Sequence, residues 1–219
     1  MTFAAVIFDL DGTLVDSAGE IDAALAGAFA EREIEPLRKP EIERLIGRGV
    51  RSLVERALAM RGSDADAGEM VEAFEAHYAR TVGTQAALFP ATLGGLRILR
   101  AARTRLAVVT NKPRAFTEAL LAQLGILEFF DAVVAGDDGV ARKPAGDMLV
   151  AACERMGTTV EDTLMLGDSE TDVRAARAAG CPVWCVPYGY NEGRDPSTLE
   201  CDRIVATIEE AARLLVGTV

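Results

Sequence analysis

Residues 4–8, Ala-Ala-Val-Ile-Phe, form an unbroken apolar run that stops at Asp9. Successive side chains of a strand point to opposite faces, so a run apolar at every position suits a strand covered on both sides. That is the pattern of a parallel sheet sandwiched between helices. Similar short runs recur at 106–109, 132–135, 163–166 and 183–186. Between them lie helical spacings: Leu93, Leu96, Ile98 and Leu99, then Phe116, Leu120 and Leu124, closing at Gly125, a residue suited to a left-handed helix terminus. Strands alternating with helices predict an α/β fold built on a doubly wound, mostly parallel, Rossmann-like sheet.

One stretch breaks the alternation. From 17 to 82 only helical spacing occurs: Ile21, Leu25 and Phe29; Ile42, Leu45 and Ile46; Val50, Leu53, Val54 and Leu58; Val71, Phe74 and Tyr78. The pattern predicts a catalytic core formed by 1–16 and 83–219, with a helical cap, 17–82, leaving and rejoining the core near the end of the first strand. Open α/β sheets bind ligands outside the carboxyl ends of their strands, so such a cap lies over the site and is expected to set specificity.

A chain of 219 residues, half of them hydrophobic, can bury a sizeable core without staples. Its formal charge of −11 argues against nucleic acid, whose phosphates it would repel. No stretch approaches the roughly 20 apolar residues that span a bilayer, and the first apolar run lacks a basic segment before it. The expectation is a cytoplasmic protein with no membrane partner. Four cysteines without a Cys-x-x-Cys pair, and a single histidine, His77, argue against a zinc site and for reduced thiols. A small anionic substrate remains open to such an acidic chain if a metal ion and a few placed cations reverse the local field.

The chemistry-bearing residues stand at strand ends. Asp9-Leu10-Asp11-Gly12-Thr13 follows the first run, and residues two apart on an extended chain point the same way, so both carboxylates face one site. Val109-Thr110-Asn111-Lys112 ends the second run, where a hydroxyl and backbone N–H groups at a strand-to-helix turn suit a phosphoryl group. Arg142-Lys143-Pro144 precedes a helical pattern whose first position Pro144 would suit. Leu164-Met165-Leu166 runs into Gly167-Asp168-Ser169-Glu170-Thr171-Asp172, where Asp172 also reads as half of a helix cap with Ser169.

An Asp pair, a Thr, a Lys and a second Asp pair, at 9/11, 110, 143 and 168/172, resemble the four signature motifs of the haloacid dehalogenase superfamily, over the whole chain. Within it, 11–17, Ile46-Gly47-Arg48-Gly49, 109–113 and Tyr188-Gly189-Tyr190-Asn191 look like the phosphoglycolate phosphatases. One departure follows Lys143-Pro144: relatives often carry His-Pro-Asp-Pro there, and this chain has Ala145-Gly146-Asp147-Met148.

The resemblance implies a phosphomonoester hydrolase acting on a small phosphorylated metabolite. Asp9 would be the nucleophile and Asp11 the general acid and base. Thr110, the Asn111 amide and Lys143 would hold the phosphoryl group. Mg²⁺ would be bound by Asp9, Asp168 and the backbone carbonyl of Asp11, with Asp172 a ligand or the orienter of a metal-bound water. In the cap, Gly47-Arg48-Gly49 is the candidate specificity loop, Arg48 offering a guanidinium to a carboxylate such as that of 2-phosphoglycolate. Tyr188 to Asn191 either borders the entrance or packs on the core, and His77 is read as structural.

Other activities share the scaffold. A dehalogenase of the family is expected to lack Asp11, and a phosphonate hydrolase needs a cap lysine where the insert holds only Lys39, beside Pro40. Phosphatases of sugar phosphates or pyrophosphate, and sugar-phosphate mutases, remain open on motifs alone. A non-catalytic phospho-acceptor would need neither Asp11 nor a cap.

Overall fold

A computed structural model of the chain describes residues 3–217. Its central sheet contains β1 (Ala5–Phe8), β4 (Arg105–Val109), β5 (Ala132–Val134), β6 (Thr163–Gly167), β7 (Val183–Cys185) and β8 (Arg203–Ile204). The spatial order is β5-β4-β1-β6-β7-β8, and every pairing is parallel. All five apolar runs are strands. β8 went unforeseen because its two residues are exposed and carry no apolar run.

Alternation along β1 builds two cores. Val6 and Phe8 face one layer, with Leu96, Leu99, Leu120 and Ile208, while Ala5 and Ile7 face the other, with Met148, Leu149, Met165 and Val173. The flanking helices are α5 (Thr92–Ala101), α6 (Arg114–Gln123), α7 (Asp147–Met156), α8 (Glu170–Ala179) and α9 (Ile208–Val216). Phe8 and Ile7 are both fully buried, and each contributes about 1.5–3 kcal/mol by leaving water.

The insert has its own core. α1 (Ala18–Ala30), α2 (Lys39–Glu43), α3 (Val50–Arg61) and α4 (Ala67–Thr81) bury Ile21, Phe29, Ile42, Val54, Met70 and Tyr78 in a cluster separate from the two sheet layers. The outgoing chain at β2 (Val15–Asp16) pairs antiparallel with the returning chain at β3 (Ala87–Leu88). Buried Glu20 adds a second tie, its Oε1 accepting from the backbone N–H of Gln85 at 2.8 Å and of Ala86 at 3.0 Å.

Two local expectations are corrected. Ile42, Leu45 and Ile46 do not share one helix: α2 stops at Glu43, and the chain turns through Gly47 and Gly49, at φ of 112° and 83°. Their common burial, rather than a common helix, made the spacing. Pro144 does not open α7, which starts at Asp147 with Gly146 as its N-cap. A Cβ on Gly146 would lie 2.6 Å from the backbone nitrogen of Ala179, so glycine lets α7 begin hard against the end of α8.

Candidate active site

The carboxyl ends of β1, β4 and β6 converge under the insert. Asp9 leaves β1 with its N–H donated to Leu166 O at 2.9 Å, which fixes the side chain at the sheet's edge. Lys143, on the loop before α7, places Nζ 2.8 Å from Asp9 Oδ1 and 2.7 Å from Asp172 Oδ1, its side chain only 1 % exposed. Asp168 follows β6, accepting from Thr13 Oγ1 at 2.8 Å and from Tyr190 N at 2.9 Å. Asp172 sits in the first turn of α8, where Oδ2 accepts from Ser169 Oγ at 2.7 Å and Ser169 N at 3.1 Å. The cap expected of Ser169 and Asp172 is therefore present, and Asp172 still turns its other oxygen to Lys143.

Asp9, Asp168 and Asp172 each present an oxygen to one point, the three atoms within 4.8 Å of one another. Burial pushes the Asp9 carboxyl well up against the pull of Lys143, and the charges of Asp172 and Asp168 push the same way. Asp168 is pushed up to about 7, by burial first and then by Asp172. Burial also works against the Lys143 ammonium, but the attraction of Asp172 and Asp9 outweighs it and the group titrates above its ordinary value. Three buried carboxylates against one ammonium leave excess negative charge, which a cation would offset. An all-oxygen donor set fits a hard divalent ion such as Mg²⁺.

Glycines permit this crowding. A Cβ on Gly12, at φ +96°, would lie 2.6 Å from Asp168 Oδ2, and Cβ atoms on Gly167 and Gly189 would run into Asp172 and Asp168 respectively.

The second carboxylate of the first motif has a different partner. Lys112 Nζ lies 3.0 and 3.1 Å from the two oxygens of Asp11, and Ser17 Oγ donates to Asp11 Oδ1 at 2.5 Å. The same ammonium sits 4.7 Å over the ring of Tyr78, from α4 of the insert. Desolvation opposes the Lys112 charge, yet Asp11 and Tyr78 together hold its titration above the usual lysine range.

Thr110 and Asn111 follow β4. Thr110 N donates to Val134 O at 3.0 Å, and its hydroxyl accepts from Lys112 N at 3.2 Å. Asn111 Nδ2 donates to Lys143 O at 2.9 Å and to Gly47 O at 3.0 Å, joining the insert's loop to the sheet. Its Oδ1 is buried without a partner among the described residues.

Asp9, Asp11, Thr110, Asn111 and Lys112 border one side of a cavity of about 500 Å³, counting space open to solvent, while Lys143, Asp168 and Asp172 lie behind Asp9 and do not line it. Ile21, Ile46, Leu53, Phe74 and Tyr78 of the insert lie across it, with Gly47 and Gly49 at its edge. Arg48 does not line this cavity. Its guanidinium forms a two-pronged pair with Glu192, Nη2 to Oε2 at 2.9 Å, beside a neighbouring opening that reaches Lys143 and Arg174.

Sequence reasoning left three contributors without roles. Lys112 lay inside the 109–112 tetrapeptide but offered no spacing that linked it to Asp11. Thr13 closed the first motif, and its hydroxyl proves to hold Asp168. Tyr190 does more than pack: its hydroxyl donates to Asp16 Oδ1 at 2.8 Å and accepts from Ser17 N and Ala18 N at 2.9 and 3.0 Å, while its own N–H holds Asp168. Tyr188 donates to Thr13 O at 2.9 Å. His77, half-buried against Gly27 of α1, sits between Glu31 and Arg80 and does not line the cavity.

A buried carboxylate cluster at the carboxyl ends of a parallel sheet, beneath a helical insert, defines a class of hydrolase. The chain belongs to the haloacid dehalogenase-like hydrolases, whose family model matches residues 3–180. The phosphoglycolate phosphatase of Nitrosospira multiformis is 42% identical over 215 residues, covering 96% of this chain and 95% of that one. That of Thiobacillus denitrificans is 37% identical over 216 residues, with the same coverage of 96% and 95%. A crystal structure of a predicted phosphoglycolate phosphatase from Haemophilus somnus superposes with a TM-score of 0.91 at 26% identity, covering 98% of both chains. Membership in a hydrolase family makes the chain an enzyme and sets aside the non-catalytic phospho-acceptor. Among the described residues, no helix is long and apolar enough to cross a membrane.

Proposed function

We propose that this enzyme is a Mg²⁺-dependent cytoplasmic phosphatase that hydrolyses 2-phosphoglycolate to glycolate and phosphate through an aspartyl-phosphate. In this reading 1–16 and 83–219 form the catalytic core and 17–82 the specificity cap. The observation that carries it is the contact of buried Lys143 with Asp9, which lines the cavity together with Asp11 and Thr110.

Asp9 attacks phosphorus, the P–O bond to glycolate breaks, and Asp11 delivers a proton to the departing alkoxide oxygen. Asp11 then takes a proton from the water that attacks the aspartyl-phosphate, releasing phosphate and restoring the Asp9 carboxylate. Lys143 screens the repulsion between Asp9 and the incoming phosphoryl oxygens, and Thr110 with the Asn111 amide holds the remaining oxygens. Asp9, Asp168 and the backbone carbonyl of Asp11 would hold Mg²⁺, with Asp172 as ligand or orienter; bound there, the ion supplies charge neutralisation of the phosphoryl group. Asp172 also keeps Lys143 in place.

The names of the relatives and the small, apolar-roofed cavity support the substrate. A sugar phosphate would leave several hydroxyls against Ile21, Leu53 and Phe74 without partners, an expense of about 1–3 kcal/mol for each buried group. The test is kcat/KM with Mg²⁺ across 2-phosphoglycolate, sugar phosphates, pyrophosphate and an aryl phosphate. A preference for 2-phosphoglycolate of about 100-fold, or 2.7 kcal/mol in the transition state, is expected. Equal rates across the panel would remove the named substrate.

A further inference from the structure

We infer that Lys112 is the specificity-determining residue that receives the carboxylate of the substrate, exchanging its bond to Asp11 for one to the bound ligand. The inference rests on the proposed substrate class, a small phosphomonoester carrying a second anionic group.

Such a substrate brings two negative centres into a cavity whose other wall is apolar. Lys143 serves the phosphoryl side, held between Asp9 and Asp172. The loop arginine is committed elsewhere, since Arg48 pairs with Glu192 and stands outside the cavity. Of the residues that border the cavity, Lys112 alone carries positive charge.

Its placement suits the task. The side chain is 6 % exposed, so its attraction for an anion is weakly screened. Tyr78 lies 4.7 Å beneath it and keeps the ammonium over the cavity whether or not Asp11 remains its partner. Asp11 also accepts from Ser17 Oγ, so it keeps a donor when Lys112 turns to the ligand. Because Tyr78 belongs to the insert and Lys112 to the core, the subsite straddles the two and is complete only when they meet.

The test compares 2-phosphoglycolate with ethyl phosphate, which matches it except for the carboxylate, in wild type, Lys112→Gln and Lys112→Arg. Lys112→Gln keeps a donor for Asp11 and removes the charge, so a fold that survives in one variant can be judged by thermal melting in all three. The ratio of kcat/KM for the two substrates should fall about 30-fold in Lys112→Gln, the loss of one charge-assisted contact, and recover largely in Lys112→Arg. A wild-type preference that both variants leave unchanged would overturn the role of Lys112. A wild type that does not prefer the carboxylated substrate would overturn the substrate reading beneath it, and this role with it.

Discussion

Lys143 Nζ donates to Asp172 Oδ1 at 2.7 Å in a pair that is wholly shut off from solvent. The bond crosses from the loop before α7 to the first turn of α8 and leaves the same ammonium on Asp9. Replacing Lys143 by Met should lower kcat by 10²–10³-fold, the range found when one preorganised donor is lost from a reacting oxygen. It should also destabilise the metal-free protein by about 3–5 kcal/mol, because three buried carboxylates then face one another without a cation. Thermal melting should show much of that loss recovered on adding Mg²⁺. Turnover equal to wild type would remove Lys143 from the site.

Metal should stabilise the folded chain. With Mg²⁺ at about 100 times its dissociation constant, linkage gives about 2.7 kcal/mol, visible as a raised Tm that chelation reverses. Asp168→Asn should abolish most of this shift. A shift of the same size in Asp168→Asn would place the ion elsewhere.

Gly12→Ala sets a Cβ 2.6 Å from Asp168 Oδ2 at a φ of +96°. Asp168 must move, so the Mg²⁺ concentration that half-saturates activity should rise at least 10-fold, a loss of the size seen when the groups around metal ligands are disturbed. Far-ultraviolet circular dichroism should remain that of wild type. Unaltered metal dependence would contradict the crowding described.

Tyr190→Phe removes a hydroxyl that serves Ser17 N, Ala18 N and Asp16 together. Urea unfolding should show a loss of about 1–3 kcal/mol for the partners left short. Because the backbone N–H of residue 190 still holds Asp168, the Mg²⁺ requirement should stay near that of wild type. A metal defect as large as that of Gly12→Ala would show that the ring, not only the backbone, positions the cluster.

Arg48 and Glu192 should behave as one unit. A double-mutant cycle with alanine at each is expected to give a coupling of about 0.2–1 kcal/mol in stability, as for other ion pairs partly in water. If Arg48 instead meets the substrate, Arg48→Ala should impair 2-phosphoglycolate far more than ethyl phosphate, and Glu192→Ala should not copy it.

The sheet and the carboxylates at its edge could be read from the chain because both are local. Asp9 ends an apolar run, Asp168 ends another, and a strand buried on both faces writes its own length into the sequence. The insert showed itself where strands stop alternating with helices and only helical spacing remains. What stayed hidden depends on partners far apart. Lys112 and Asp11 are 101 residues apart, and Arg48 meets Glu192 across 144. No spacing rule connects them, and a Gly-Arg-Gly loop looks the same whether its arginine faces a ligand or a glutamate. Gly189 was invisible for a related reason: its backbone approaches Asp168 only after β7 has placed it beside β6.

The most direct measurement is a rapid quench of the enzyme in Mg²⁺ with excess 2-phosphoglycolate, followed by mass analysis of its peptides. A phosphoryl group on the peptide containing Asp9, formed and lost at rates that match turnover and absent from Asp9→Asn, is the expected result. Full turnover in Asp9→Asn, or phosphate carried by another residue, would contradict the account.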